Sequence, residues 1–89
     1  MSELENVGFN IRTARTEKNL TLHQLRDQLM ESGSTIHEGY LSRIERGLRI
    51  PSLGTAIKIA RALGKSLDDL VAEPTTEDER DTNYRSIDN

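Results

Sequence analysis

Hydrophobic residues recur every three or four positions over most of this chain, which is the spacing of one face of an α-helix. In the first half the repeated positions are Leu4, Val7, Ile11, Ala14, Leu22, Leu25, Leu29, Leu41 and Ile44. In the second half they are Leu53, Ala56, Ile57, Ala60, Leu63, Leu67, Leu70 and Val71. No segment alternates apolar and polar residues as a half-buried β-strand does. The pattern therefore predicts an all-α fold.

Capping residues and helix stops set the bounds of five helices. Hydroxyl side chains that can accept a hydrogen bond from a first helical turn stand at Ser2, Thr21, Thr35, Ser52 and Ser66. Ser2 and Thr35 are each followed three residues later by glutamate, which is the form of a capping box. Left-handed conformations that end helices are expected at Asn19, Gly47 and Gly64. The predicted helices span residues 3–18, 22–31, 36–46 and 53–63, and a short fifth helix lies between residues 66 and 74.

The third predicted helix has an apolar side and a cationic side. Leu41 and Ile44 are three residues apart and face the core, together with Ile36 or Tyr40. The outward residues are Ser42, Arg43 and Arg46, with His37, Glu38 and Gly39 near the start. Such a face is typical of a helix that enters a groove of nucleic acid, and it is nearly as typical of an ordinary surface helix.

Charge is unevenly distributed along the chain. The net charge is −3, which by itself disfavours a nucleic-acid partner. Residues 73–89 hold six acids and only two bases, whereas residues 34–65 hold six bases and only two acids. Because phosphate contacts act within a Debye length of about 8–10 Å, the local positive charge matters more than the total. The distribution predicts a domain at residues 1–73 and a flexible acidic tail at residues 74–89.

Composition excludes several classes of function. The chain has no cysteine and only two histidines, His23 and His37, so neither a disulfide framework nor a metal site is expected. No glycine-rich phosphate loop is present, and Asp68 and Asp69 fit the first turn of a helix better than a catalytic pair. No apolar run approaches the roughly 20 residues of a membrane span. We therefore expect a cytoplasmic protein that is not an enzyme, needs no cofactor and does not enter a membrane.

Four short motifs occur together in this sequence: RTEKNLTL at 15–22, YLSRIERG at 40–47, PSL at 51–53 and ALGKSLDDL at 62–70. The combination resembles the phage-repressor and Cro type of helix-turn-helix domain, which many small bacterial transcription regulators contain. The resemblance covers about residues 7–71. It implies a compact five-helix, repressor-like DNA-binding domain in which the second and third helices form the helix-turn-helix. It also implies that the partner is double-stranded DNA.

The resemblance further implies roles for individual residues. A structural ion pair is expected between Arg15 and Glu45. Base contacts are expected from His37, Glu38, Gly39, Ser42 and Arg43. Phosphate contacts are expected from Thr21, Leu22, His23, Gln24, Tyr40, Arg46 and Arg49. The remaining basic residues of this region, Lys58, Arg61 and Lys65, are interpreted as a solvated face of the fourth helix.

The chemistry of these side chains favours some roles over others. A guanidinium can bond guanine O6 and N7 together, so Arg43 is the best candidate for reading a base. Glu38 can accept a hydrogen bond from cytosine N4, or it can cap the third helix together with Thr35. Gly39 has no side chain and would let the helix approach a duplex closely. Tyr40 can either reach a phosphate or fill the core, and the N–H groups that begin the second helix form a further phosphate site.

The sequence departs from the family pattern in two places. Glu45 lies 20 residues after Leu25, about five more than is usual, so either the second helix or the turn that follows it is longer. Arg26 stands where a small residue usually follows the helix-two leucine. The two helices therefore cross at a wider distance, or the arginine extends outward past its neighbours.

The function that best fits these observations is sequence-specific transcription regulation, most simply repression by a homodimer on a two-fold operator in a bacterium or phage. Leu67, Leu70 and Val71 of the fifth helix are the expected dimer surface. The alternative is an antitoxin-like, protein-binding regulator in which Tyr84 and Ile87 of the tail anchor another protein. A merely solubilising role for the tail is favoured over that alternative.

Overall fold

The structure, a computed structural model, describes residues 3–73 and contains five helices over that range. They are α1 (Glu3–Glu17), α2 (Leu22–Glu31), α3 (Glu38–Glu45), α4 (Leu53–Leu63) and α5 (Leu67–Val71). No strand occurs among the described residues, and the all-α prediction is confirmed. The predictions that concern Ser2, Pro74 and the acidic tail at residues 74–89 lie outside the described range.

The apolar sides of all five helices meet in one core. Helix α1 packs against α3, α4 and α5, while α2 packs against α3 and α4. The buried apolar side chains are Val7, Ile11, Ala14, Leu25, Leu29, Ile36, Leu41, Ile44, Ile59, Ala60, Leu63 and Leu70. Leu20, Leu22, Tyr40 and Ala62 pack against this core from its edge. Helices α1 and α4 thus support the helix-turn-helix on its core side.

The predicted caps of α2, α4 and α5 and the predicted stop of α4 at Gly64 are confirmed. The Thr21 hydroxyl accepts a hydrogen bond from Gln24 N at 3.0 Å, and Gln24 Oε1 accepts one from Thr21 N at 2.8 Å. Ser52 caps α4, and Ser66 forms a reciprocal capping box with Asp69. The backbone hydrogen bond from Ser66 is the main cause of a lowered pKa of the Asp69 carboxyl. These contacts join residues close in sequence, which is why the sequence predicts them.

The predicted start of the third helix is wrong. Helix α3 begins at Glu38 rather than Ile36, its N-cap is His37, and no side chain caps it. Residues 32–37 form a non-helical connection, and within it the Ile36 side chain is buried in the core. Thr35 therefore forms no capping box with Glu38. Because helix-turn-helix motifs usually have a turn of about 3–4 residues, this longer connection accounts for part of the extra spacing between α2 and α3.

The predicted inward faces of α4 and α5 are wrong in part. Leu53, expected in the core, is 68% exposed, whereas Ile59, which the predicted stripe omitted, is completely buried. Val71 was also expected to face inward, but it is 59% exposed. The cause is the phase of each helix: α4 is rotated so that Ile59, Ala60 and Leu63 face α1 and α2, and its first residue projects beyond the core.

Helices α1 and α3 approach closely enough for backbone contact at Gly8. A Cβ atom added to Gly8 would lie 2.6 Å from the carbonyl oxygen of Glu45, and it would also collide with the carbonyl oxygen of Ile44. Since both obstacles are backbone atoms, they cannot move aside as a side chain can. The absence of a side chain at Gly8 therefore sets the distance between α1 and the last turn of α3.

We expect Gly8→Ala to lower the free energy of unfolding by about 1–3 kcal/mol, because the added methyl group forces α1 away from α3. Gly54→Ala in α4 is the matched control, since a Cβ there meets no atom within 4 Å. This control should raise stability by about 0.5 kcal/mol through reduced chain entropy of the unfolded state. Urea unfolding of both variants measures the difference, and equal stabilisation by the two alanines would contradict the close contact.

Candidate nucleic-acid interface

Helix α3 is divided lengthwise into a buried half and an open half. Leu41 and Ile44 are completely buried. Gly39 and Arg43 are exposed on the other side, and a Cβ added to Gly39 would meet no atom within 4 Å. The core side chains fix the rotation of the helix about its axis. Its outer face is therefore presented in one orientation and is not covered by any other described element.

An ion pair fixes the C-terminal end of α3. Arg15 Nε donates a hydrogen bond to Glu45 Oε2 at 2.6 Å, and Arg15 Nη2 donates to Glu45 Oε1 at 3.0 Å. The third nitrogen, Nη1, donates to the carbonyl oxygen of Leu20 at 2.7 Å. Only 12% of the arginine side chain and 6% of the glutamate side chain are exposed. The hydrogen bond to Glu45 raises the pKa of Arg15 further above its usual value.

The residues expected to contact bases lie together at the start and along the outside of α3. His37, Gly39 and Arg43 are exposed, whereas Glu38 and Ser42 are half-buried. The Arg43 side chain makes no hydrogen bond or ion pair with any residue in the described range 3–73. Its guanidinium is therefore available to an external acceptor. This set of residues forms one continuous surface about two helical turns long.

The residues expected to contact phosphate differ in whether their hydrogen-bonding groups already have partners within the protein. The side chains of Thr21 and Gln24 are occupied by the capping box, and the Thr21 N–H is bonded to Gln24. The free donors at the start of α2 are therefore the backbone N–H groups of Leu22 and His23, which have no partner among the described residues. A helix N-terminus with free N–H groups favours an anion.

The other three phosphate candidates lie on α3 and on the linker that follows it. Arg46 is exposed, and its Nε lies 3.4 Å from the carbonyl oxygen of Ser42. Arg49 is exposed on the linker. Tyr40 is half-buried and packs against the core, so its ring has a structural role whatever its hydroxyl contacts. The two arginines remain the freer candidates.

Sequence reasoning missed a group of side chains that joins α2 to α3. His23 Nδ1 lies 3.1 Å from Glu38 Oε1. The Arg26 side chain is 26% exposed, and its Nη2 pairs with Asp27 Oδ1 at 2.9 Å. No motif signals this contact, because it depends on how the longer connection places the start of α3 over the start of α2.

Lys58 is closer to the start of α3 than its assignment to a solvated face suggested. It lines the same surface depression as His37, Tyr40 and Thr55. Its position depends on how α4 packs against α1 and α2, which periodicity alone does not reveal. Lys58 therefore contributes positive charge near the candidate interface.

The fold and this surface define a helix-turn-helix protein of the nucleic-acid-binding class. Comparison with known proteins agrees: the family model described as "Helix-turn-helix" matches residues 11–70. The chain belongs to this family of transcription regulators, of the phage-repressor and Cro type.

Two relatives give the family a biological context. An uncharacterised HTH-type transcriptional regulator of Sinorhizobium fredii is 41% identical over 71 residues, which are 80% of this chain and 84% of the relative. The immunity repressor protein of Bacillus phage phi105 is 35% identical over 80 residues. That match covers 90% of this chain and 52% of the phage protein, so this chain spans about half of that repressor.

Solved structures share the same fold. The clp gene regulator ClgR of C. glutamicum aligns with a TM-score of 0.70 and 30% identity, over 80% of this chain and 85% of that one. The restriction-modification controller protein C.AhdI of Aeromonas hydrophila aligns with a TM-score of 0.68 and 28% identity, over 79% of this chain and 98% of that one. Within residues 3–73, each helix is too short or too polar to cross a membrane.

We expect Arg15→Ala to lower the free energy of unfolding by roughly 3–5 kcal/mol, because it leaves the shielded carboxylate of Glu45 without its partner. Arg43→Ala is the matched control, since this arginine is exposed and has no partner in residues 3–73. It should change stability by less than about 0.5 kcal/mol. Chemical denaturation of both variants tests this, and similar small effects would show that the pair does not brace α3.

Proposed function

We propose that this chain is a sequence-specific transcription repressor that binds double-stranded DNA as a homodimer and inserts α3 into the major groove. The single observation that carries the proposal is the division of α3, with Leu41 and Ile44 completely buried and Arg43 free on the open side. An α-helix fits the width of the major groove, and an uncovered cationic face suits the negative charge of DNA. The repressor name of the phage relative supports repression, and the cytoplasm is the corresponding compartment.

Base reading is assigned to the open side of α3. Arg43 is the principal reader because its free guanidinium can form two parallel hydrogen bonds with guanine. Glu38 accepts from cytosine N4, and His37 and Ser42 lie beside these two side chains. Gly39 has open space where a side chain would stand, so the backbone of the helix can come close to the base edges at that turn.

Phosphate contacts flank this reading surface on two sides. The free N–H groups of Leu22 and His23 at the start of α2 hold one phosphate. Arg46 and Arg49 hold the strand beyond the end of α3, with additional positive charge from Lys58. Contacts on both sides of the helix fix its position and direction in the groove, and the bases then determine specificity.

A homodimer is proposed because a single domain of this size buries little duplex, and a second copy doubles the contacts. The predicted dimer surface needs correction, since Leu70 is only 2% exposed and belongs to the core. We assign the surface instead to Ile50, Leu53 and Val71, which are 58%, 68% and 59% exposed. These three side chains line one apolar depression between α4 and α5.

Selection of bound duplexes from a random pool should yield a two-fold symmetric site with half-sites about 10 base pairs apart. Leu53→Asp should abolish the dimer in analytical ultracentrifugation, because it places a charge in the proposed apolar interface. Met30→Asp is the control: it changes another exposed apolar side chain, on α2 and outside this surface, that is 53% exposed. Selected sites without symmetry, together with an unaltered dimer in Leu53→Asp, would contradict the assigned arrangement.

Arg43→Ala and Arg49→Ala should weaken DNA binding in different ways. Loss of the Arg43 guanidinium should cost about 1–3 kcal/mol and relax the preference at one base pair. Loss of Arg49 should weaken binding to all sequences alike and lower the slope of log K against log salt by about 1. Fluorescence anisotropy titrations over a range of salt concentrations separate these effects. Unchanged operator affinity in both folded variants would refute the contact assignment.

A further inference from the structure

The side chains of His23 and Glu38 connect the second residue of α2 to the first residue of α3. His23 Nδ1 lies 3.1 Å from Glu38 Oε1, and a carboxylate oxygen can only accept a hydrogen bond. The imidazole is therefore the donor, with its proton on Nδ1. This contact spans the connection of residues 32–37 and joins the two helices of the motif at the end where both begin.

Two neighbours on α2 lie beside the His23 ring. Nε2 lies 3.5 Å from Asp27 Oδ2, on the next turn of the helix. Arg26 Nη2 lies 3.2 Å from both ring nitrogens. An atom equally close to both nitrogens in the plane of the ring would collide with the carbon between them, so the guanidinium lies over the face of the ring. Stacking of this kind is a usual arrangement for arginine.

A glutamate that reads DNA has two physical difficulties. Its side chain has several rotatable bonds, so ordering it on binding costs entropy. Its negative charge is also repelled by the surrounding phosphates. In this structure a donor from α2 holds one carboxylate oxygen of Glu38, while Arg26 adds positive charge nearby. The other oxygen, Oε2, has no partner among residues 3–73 and stays available.

We propose that His23 is a positioning residue that holds the Glu38 carboxylate so that its free oxygen accepts a hydrogen bond from the N4 amino group of cytosine. The inference rests on the proposed function and makes it more specific, since it assigns His23 an action through Glu38 rather than a direct contact of its imidazole with phosphate. A side chain held in its bound geometry before binding loses less entropy when the base arrives. His23 thereby determines specificity without touching a base.

The test measures the affinity of each variant for the operator obtained by selection and for duplexes that carry each of the three other base pairs at each position of the half-site. The ratio of these affinities is the base preference. Glu38→Ala should reduce the preference for one C·G pair about five- to tenfold. His23→Ala should reduce the same preference about two- to tenfold, as expected for loss of one hydrogen bond. The double variant should show no further loss beyond Glu38→Ala, because His23 acts only through that carboxylate.

Two further variants separate positioning from other roles of the imidazole. His23→Asn should restore most of the preference, because the amide nitrogen of asparagine takes the place of Nδ1 as a donor. Asp27→Ala removes the partner of the other ring nitrogen without touching Glu38, and it should change the preference less than about twofold. Thermal unfolding of each variant checks that the fold is intact, which is expected because these side chains are exposed by about half.

Each other outcome has a definite meaning. If His23→Ala weakens all sequences equally and lowers the salt slope by about 1, the imidazole contacts phosphate and the inference is overturned. Additive losses in the double variant, or an unaltered preference in Glu38→Ala, also overturn it while leaving sequence-specific binding by α3 intact. Failure of the selection to enrich any duplex would instead refute the proposed function itself.

Discussion

The ion pair between Arg15 and Glu45 is the interaction on which the placement of α3 depends. All three guanidinium nitrogens are used: two bond the carboxylate at the end of α3, and the third bonds the Leu20 carbonyl just before α2. One side chain from α1 therefore bonds both to α3 and to the segment that leads into α2. Because the pair is almost fully shielded, neither charge can exchange its partner for water without a large free-energy cost. The end of α3 is thus held by charge and its centre by the core.

Close packing of α1 against α3 at Gly8 brings Arg15 and Glu45 within hydrogen-bonding distance. The backbone of α1 lies against the carbonyl oxygens of Ile44 and Glu45, the same turn of α3 that carries the paired carboxylate. A wider separation of the helices would lengthen both hydrogen bonds from Arg15 to Glu45. The glycine and the arginine, seven residues apart on α1, therefore act on a single turn of the neighbouring helix.

The sequence predicts the parts of the fold that depend on neighbouring residues. The N-caps at Thr21 and Ser66 and the left-handed positions at Gly47 and Gly64 involve contacts over a few residues, and all four are found as predicted. The predicted bounds of α2 also agree with the structure. Local signals of this kind need no knowledge of the tertiary arrangement.

The errors come from choices that only tertiary packing makes. Helix α4 offers two acceptable apolar stripes, one through Leu53 and one through Ile59, and the position of α1 and α2 selects the second. The start of α3 is displaced because burial of Ile36 outweighs a local cap at Thr35. Among candidate site residues, the exposed arginines are recognisable from charge and spacing. The contact of His23 with Glu38 is not, since the two residues meet only through the geometry of the connection.

The open side of α3 has a consequence for how new binding specificities arise. Gly39 and Arg43 take no part in the core, so under the proposed function mutations at these two positions would alter recognition while the stability of the fold is largely preserved. Glu38 is different, because its side chain is shared with His23 on another helix. Under the proposed function, divergence toward a new operator would proceed by independent single steps at the first two positions. At Glu38 it would require coordinated change at two sites, which would make that position the slower one to evolve.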